Sequence, residues 1–312
     1  MRICRFLPLA TPGQGDDPGG CVGPYGIATR HFQWVDAPGA CVGLLDGDLG
    51  IVDLTAAGFP PLAAMLELED LAQQLTACLD LPRPRSPLSS VRLLAPVESQ
   101  EVWAAGVTYL RSKTARMEES EFSASAYDRV YAAERPELFF KALAEKVVHP
   151  GEPVGIRRDS RWSVPEPELA LVFNSRGQFV GCTVGNDVSA RDIEGENLLY
   201  LPQAKVYCRS CALGPFLVVG VDEATVRGWR IGIEIRRDGG VVFAGETEAG
   251  RLKRRFDELG SFLFRCQEFP AGVVLLSGTG IVPPDDFSLR AGDVVRIEIA
   301  GIGTLENPVI EV

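Results

Sequence analysis

The chain has 312 residues, with 31 Lys and Arg against 42 Asp and Glu, and a formal net charge of −11. That acidic balance argues against nucleic acid or an anionic membrane face as partner, since both are polyanions that recruit basic surface. Hydrophobic residues make up 46%, enough to fill a packed core and unlike the polar composition of a disordered chain.

In chain order, Met1–Ala10 carries two arginines and is cut by Pro8, so it lacks the apolar run and cleavage site of a secretory leader. No window reaches the roughly 18 consecutive apolar residues of a membrane span. The expected compartment is therefore the cytoplasm. Eight cysteines spread along the whole chain read as reduced, mostly buried side chains without disulfides. Residues 1–92 are rich in Gly and Pro, carry no motif, and close with the loop-like run LDLPRPRSPLSS. They are expected to form a smaller N-terminal domain, serving dimerisation or support of a lid, ahead of a catalytic domain at 93–312.

Beyond that boundary, Glu101–Tyr109 reads as a buried strand and Ser112–Ala133 as a polar, helix-permissive segment suited to a lid. Strands are expected at 166–173, 179–184, 214–221 and 229–236, the last showing Ile231, Ile233 and Ile235 in half-buried alternation. An Asp238-Gly239 turn leads to a strand at 241–244, and an amphipathic helix is expected over Glu248–Phe264. Strands at 273–276, at 294–299 and around Val309 close the chain. The expected fold class is α+β, mostly β.

The strongest local chemical signal is Glu166-Pro167-Glu168 at the start of a strand, where residues two apart face the same way and both carboxylates converge. Asp187 follows in Gly185-Asn186-Asp187, expected as a turn. Three carboxylates in one site repel unless protonated or sharing a cation. All-oxygen ligation suits Mg²⁺ or Mn²⁺. The Glu-x-Glu spacing alone is a weak signal and fits two solvated surface carboxylates better; its neighbours change that reading.

These carboxylates stand within VPEPELALVF and FVGCTVGNDVSARDIEGENLLYLPQAKVYCRSCALGPFLV, followed by LLSGTGIVPPDD and LRAGDVVRIEIAGIGTLENPV. In combination and order these runs, about two thirds of the chain, resemble the fumarylacetoacetate hydrolase family. The resemblance implies a mixed β-roll with a metal site at its mouth, often in a homodimer or higher homo-oligomer. It makes Glu166, Glu168 and Asp187 the metal ligands and places Arg191, Lys205 and Thr279 near a small-molecule substrate. Lys205 would add positive charge beside an oxyanion, pair with the ligand carboxylates, or do both. The Thr279 hydroxyl, with the backbone of Gly278 and Gly280, would hold a substrate carboxylate. Tyr109, at the end of the first strand of the match, is a further substrate contact.

One stretch departs from the family pattern. Hydrolases and decarboxylases of the family carry a His and a Glu here that activate water, but the chain has Ser112 and Ala115 in their places. General acid–base groups typically contribute about 10²–10⁴ in rate, so their loss would cripple a hydrolase. The two histidines, His31 and His149, read as solvated or structural. Metal and enolate machinery without that dyad points to elimination. GVTYLRSKTARMEES and SARDIEGENLLYLPQAKVY look like the branch of the family that dehydrates 2-keto-3-deoxy sugar acids of arabinonate or xylonate type to 2,5-dioxopentanoate. Cleavage of a diketo acid by a hydrolase or decarboxylase is the alternative.

Candidate acids and bases are Lys205 and Glu194, then Ser112, Glu118 and Glu119 on the lid segment. Glu194 stands where other members of the family place Gln, so it gains a titratable proton, although it equally reads as part of an acidic surface turn with Glu196. Arg191 reads as an anchor for nearby carboxylates. Cys208-x-x-Cys211 has no second ligand pair and reads as structural. Arg251–Arg255 reads as the solvated face of a helix whose core face carries Leu252, Phe256 and Leu259.

Overall fold

The computed structural model describes residues 1–9, 21–22, 28–29, 39–47, 49–110 and 129–312. The strands that carry the fold are β1 (Arg2–Pro8), β2 (Cys41–Leu45), β3 (Ile51–Asp53), β4 (Val91–Leu94) and β5 (Glu101–Gly106). They continue with β6 (Glu137–Ala142), β7 (Val154–Ile156), β8 (Pro167–Phe173), β9 (Phe179–Asp187) and β10 (Cys211–Val219). The last five are β11 (Arg230–Arg237), β12 (Gly240–Glu248), β13 (Val273–Leu276), β14 (Val294–Ile299) and β15 (Gly303–Glu311).

A ten-stranded mixed sheet runs β3-β2-β1-β10-β9-β8-β13-β5-β6, with β4 also paired to β1. Its one parallel pair among these is β13 with β5. A five-stranded sheet, β12-β11-β14-β15-β7, lies beside it. This is the mostly-β, mixed-sheet class that the sequence implied.

β8 sits at the centre because every residue from Pro167 to Phe173 is apolar or site-forming, and all seven are buried. Alternate side chains then feed two separate cores. Leu169, Leu171 and Phe173 join the core that holds Ile231, Ile233 and Ile235 of β11. Ala170 and Val172 face the other way, among Ile3, Val42, Leu44 and Leu75 of the N-terminal region. Residues 1–92 thus lend strands to the same sheet as 93–312 and cover one of its faces, and residue 92 lies within β4, which is paired to β1.

Several expectations shift by physical cause. β9 continues through Asp187, which pairs in register with Cys211, so this residue ends a strand and does not lie in a turn. β5 stops at Gly106, because Val107 takes a positive φ of 53° that breaks the extended run before Tyr109. The expected helix over 248–264 forms only as Phe256–Leu263. Ahead of it Glu248 ends β12, Ala249–Arg251 forms a single 3-10 turn, and 252–255 is irregular, with Leu252, Arg254 and Phe256 buried in alternation with exposed Lys253 and Arg255, so the basic cluster is not an α-helix face. Most of the proposed lid segment lies outside the described residues. Among the described residues no helix is long and apolar enough to cross a membrane. The seven cysteines with described side chains are free.

Candidate active site

β8 and β9 pair antiparallel with Pro167 opposite Asn186, so the start of one strand lies against the end of the other. The Asp187 N–H donates to the Glu166 carbonyl at 3.0 Å and fixes this corner. Glu166 and Glu168, two apart, turn to one face and meet Asp187 there. One oxygen from each of the three carboxylates lies within 4.8 Å of the others, and all three residues are buried. The donor set is all oxygen, three carboxylates, and fits a hard divalent cation.

Cations within the fold hold these acids. Arg191 opens the helix α1 (Arg191–Glu196), and its guanidinium donates to Glu166 Oε1 at 2.6 Å. Lys205 ends the helix α2 (Leu201–Lys205). Its ammonium donates to Glu166 Oε2 at 2.7 Å, Asp187 Oδ2 at 3.1 Å and Ser189 Oγ at 2.6 Å, which engages all three of its protons. On the far side of Asp187, Lys141 pairs with Oδ1 and donates to the carbonyls of Val188 at 3.2 Å and Lys205 at 2.5 Å.

Glu168 has one strong donor, the Gly278 N–H at 2.6 Å. Burial first, then the charges of Asp187 and Glu166, push its carboxyl well above the ordinary range, with Lys205 and Gly278 pulling the other way. A bound cation would oppose that shift. Gly278 has a φ of +91°, and a Cβ there would stand 2.0 Å from Thr108 Oγ1, so the donor position requires glycine. Thr108 Oγ1 in turn donates to the Ser277 carbonyl at 2.6 Å.

The cleft above these groups is lined by Glu166, Glu168, Asp187, Lys205, Gly278 and Thr279, together with Glu194. Glu194 is buried, unlike its exposed neighbour Glu196, so the surface-turn reading does not describe it. Thr279 is buried, with its hydroxyl bonded to the backbone of Ile281. Arg191 is 1% exposed and does not line the cleft; it acts on Glu166. Tyr109 packs against Gly280, and its buried hydroxyl has no hydrogen-bond partner among the described residues. Burial and the Glu168 charge push that phenol upward, so it stays a neutral donor. Ser112, Glu118 and Glu119 lie outside the described residues, as does His31. His149 is buried far from solvent and accepts the Ala95 N–H at Nδ1, which is a structural role and not a solvated one. Cys208 is exposed while Cys211 is buried in β10, with its thiol pushed up to about 12 by burial.

Sequence reasoning missed β6. Along it Glu137, Phe139 and Lys141 share one face; the first two line the cleft and the third reaches Asp187. The available signal was a lysine inside the apolar run LFFKALA, since a lysine there is buried only with a partner. Glu137 and Glu194 also line an adjoining cavity of about 360 Å³ with Val130, Arg135, Leu198 and Leu201.

A family model described as fumarylacetoacetate (FAA) hydrolase, C-terminal, matches residues 101–310, a span that contains every cleft residue named above. The chain belongs to the fumarylacetoacetate hydrolase family. Within the family it is 50% identical over 217 residues, 70% of this chain and 74% of the relative, to a probable 2-keto-3-deoxyxylonate dehydratase of Haloferax volcanii. It is 40% identical over 225 residues, 71% of this chain and 76% of the relative, to the 2-dehydro-3-deoxy-D-arabinonate dehydratase of Saccharolobus solfataricus. A solved 2-keto-3-deoxy-D-arabinonate dehydratase complexed with magnesium and 2,5-dioxopentanoate matches 100% of this chain and 99% of its own, with TM-score 0.75 and 29% identity.

Proposed function

We propose that this protein removes water from a five-carbon 2-keto-3-deoxy sugar acid, of arabinonate or xylonate type, to give 2,5-dioxopentanoate. The protein is a metal-dependent dehydratase of its family. The observation that carries the reading is one cleft in which a buried carboxylate triad faces two further carboxyls, Glu137 and Glu194, with no histidine among the described cleft residues. Glu166, Glu168 and Asp187 would hold the divalent ion, with Mg²⁺ proposed ahead of Mn²⁺. When bound, that ion supplies Lewis acidity to a 2-oxo group and so acidifies the hydrogens at C3.

The chain's own groups do the rest. Arg191 and Lys205 pair with and orient Glu166, Lys205 and Lys141 do so for Asp187, and the Gly278 N–H orients Glu168. The backbone of Thr279 and Gly280 receives the substrate carboxylate, since the Gly278 N–H is held by Glu168 and the Thr279 hydroxyl by the Ile281 carbonyl, and the Tyr109 hydroxyl donates to a substrate oxygen. One of Glu137 and Glu194 takes a C3 proton, and the other protonates the C4 hydroxyl as it leaves as water. The remaining unsaturated alcohol becomes an aldehyde as a C5 proton and the hydroxyl proton are lost and protons are returned at C3 and C4. Lys205, whose protons are all engaged, serves the charge balance of the site more directly than proton transfer. We place the protein in the cytoplasm as a homo-oligomer, and we assign the Ser112–Glu119 stretch no step.

The test is incubation of metal-stripped protein with 2-keto-3-deoxy-D-arabinonate and its xylonate-derived equivalent, with and without Mg²⁺, coupled to a semialdehyde dehydrogenase. Metal-dependent aldehyde is expected. Failure with both sugar acids, alongside cleavage of a diketo acid to CO₂ or a second carboxylic acid, would transfer the site to hydrolysis or decarboxylation.

A further inference from the structure

The open space of the site does not end at Glu137 and Glu194. These two carboxyls line both the cleft and the adjoining cavity, and the triad lines the cleft alone. Free space directly above the triad is about 10 Å³, against about 360 Å³ in the cavity, so a ligand anchored at the triad has room to extend only past the two acids.

Among the described residues the rest of the cavity is formed by Val130, Arg135, Pro136, Leu198 and Leu201. Pro136 is buried where the chain enters β6, one residue before Glu137. Leu198 opens a 3-10 turn and Leu201 opens α2, so the segment that leads from Glu194 to Lys205 sets two leucines beside the first of these groups before the second returns to Glu166. Leu198 lines the cavity and is still 36% exposed. A half-wet apolar side chain at the rim of a polar site is stabilised when a bound alkyl group dries it. Arg135 is the one cation among these residues, exposed and 5.6 Å from the centre of the Phe262 ring. Two carboxyls face it across the cavity, so a ligand with an anionic far end meets like charge there.

In the proposed reaction C3 and C4 lie between Glu137 and Glu194, and everything from C5 outward enters the cavity. In a pentonate that is one carbon and its hydroxyl, far less than about 360 Å³ when a water takes about 30 Å³ of the liquid. We propose that Val130, Pro136, Leu198 and Leu201 form a tail subsite that widens the substrate class to 2-keto-3-deoxy acids longer than five carbons, with an apolar, uncharged far end. The path of the chain between the two acids rests on the dehydratase reading. In a six-carbon acid ending in methyl, a C3 hydrogen and the C4 hydroxyl leave as water. The alcohol at C5 then becomes a ketone as its C5 and hydroxyl protons are lost and protons are returned at C3 and C4, giving 2,5-dioxohexanoate.

The first test needs no turnover. Calorimetry with Mg²⁺-loaded protein compares pyruvate, 2-oxopentanoate, 2-oxohexanoate and 2-oxoheptanoate, which are 2-oxo acids with no C4 hydroxyl to eliminate. Affinity should rise about fourfold per carbon beyond 2-oxopentanoate, and 2-oxoadipate, with its second carboxylate, should bind more weakly than 2-oxohexanoate. Leu198→Asn and Leu201→Asn, polar and close to leucine in size, should each flatten the rise and leave pyruvate affinity in place, because pyruvate ends short of the cavity. A flat wild-type series, tighter binding of 2-oxoadipate, or an undiminished rise in the folded variants overturns the subsite. If Leu201→Asn does not fold, Leu198→Asn decides, since its side chain already meets water. In turnover, followed by NMR, the methyl-ended six-carbon acid should exceed its hydroxymethyl-ended counterpart by about 10-fold in kcat/KM; equal values overturn the preference for an apolar end. If no sugar acid is dehydrated, pentonates included, the dehydratase reading falls, and the binding series judges the subsite by itself.

Discussion

Two of the places where the molecule buries titratable groups treat them in opposite ways. In the cleft, Arg191 and Lys205 pair with Glu166, and Lys205 and Lys141 pair with Asp187, so opposite charges meet at hydrogen-bond distance with almost no exposure, while Glu168 beside them has only the Gly278 N–H. In the seam where the N-terminal strands meet the rest, His149 is 2% exposed and is surrounded by the positive charges of Arg5, Arg92 and Arg209. Burial and those charges together hold its pKa down to about 4, so it packs as a neutral ring. The cleft keeps its buried ion pairs, whereas the seam keeps this imidazole neutral.

The largest expected effect comes from breaking the balance of the cleft at Glu168. Glu168→Gln should abolish turnover and tight divalent binding, a loss well beyond the roughly 10–100-fold typical of a supporting residue. Thermal unfolding without metal should be unchanged or improved, since one of three mutually repelling carboxylates is gone. Calorimetric Mg²⁺ titration beside an activity assay checks both; a fully active variant would remove Glu168 from the ligand set. Next come Glu137→Gln and Glu194→Gln, each expected to slow kcat by about 10²–10⁴-fold with Mg²⁺ affinity kept. An unaltered kcat in either variant takes that carboxyl out of proton transfer.

Lys141→Met tests the same balance through stability. It removes the partner of Asp187 Oδ1 and two carbonyl contacts at a site with no solvent. Breaking a buried pair on one side costs about 3–5 kcal/mol. Denaturant unfolding of the metal-free protein should show that loss, and saturating Mg²⁺ should return part of it by neutralising Asp187 from the other side. An equal loss with and without Mg²⁺ would place Lys141 outside the metal's electrostatic reach.

How much of this was legible in the sequence follows from how local each feature is. β13 and β14 stand where the runs Val273–Leu276 and Val294–Ile299 put them, because short apolar or alternating runs carry their own period. Glu166, Glu168 and Asp187 were legible through a two-residue spacing and a recognisable run. Glu137 and Lys141 were not, since β6 reaches the cleft by pairing with β5, itself placed by the parallel pairing of β13. The 252–259 stretch misled for a definite reason. Leu252, Phe256 and Leu259 fit helical spacing, while Leu252, Arg254 and Phe256 fit a strand period of two. Only the carbonyl partners of Arg254, more than a hundred residues away, decide between them.

The seam offers the smallest effect and the sharpest contrast with the cleft. His149 accepts the Ala95 N–H at Nδ1 at 3.0 Å, and its own carbonyl accepts from Asn307. Protonation at Nδ1 would turn an acceptor into a donor facing a donor, beside three arginines. The folded pKa of about 4 lies below the ordinary 6.5, so the folded state binds fewer protons than the unfolded one between these values. The stability linked to His149 is therefore whole above pH 6.5, falls as the pH drops towards 4, and levels off below it. The shift corresponds to about 3 kcal/mol. Urea unfolding at pH 7 and pH 4.5 should show most of that difference in the wild type. His149→Asn, whose amide oxygen can accept the same N–H without titrating in this range, should lose the His149 share while the carboxylates continue to titrate. If wild type and variant fall in parallel between the two pH values, the seam carries no proton linkage, and the neutrality of His149 has no thermodynamic consequence.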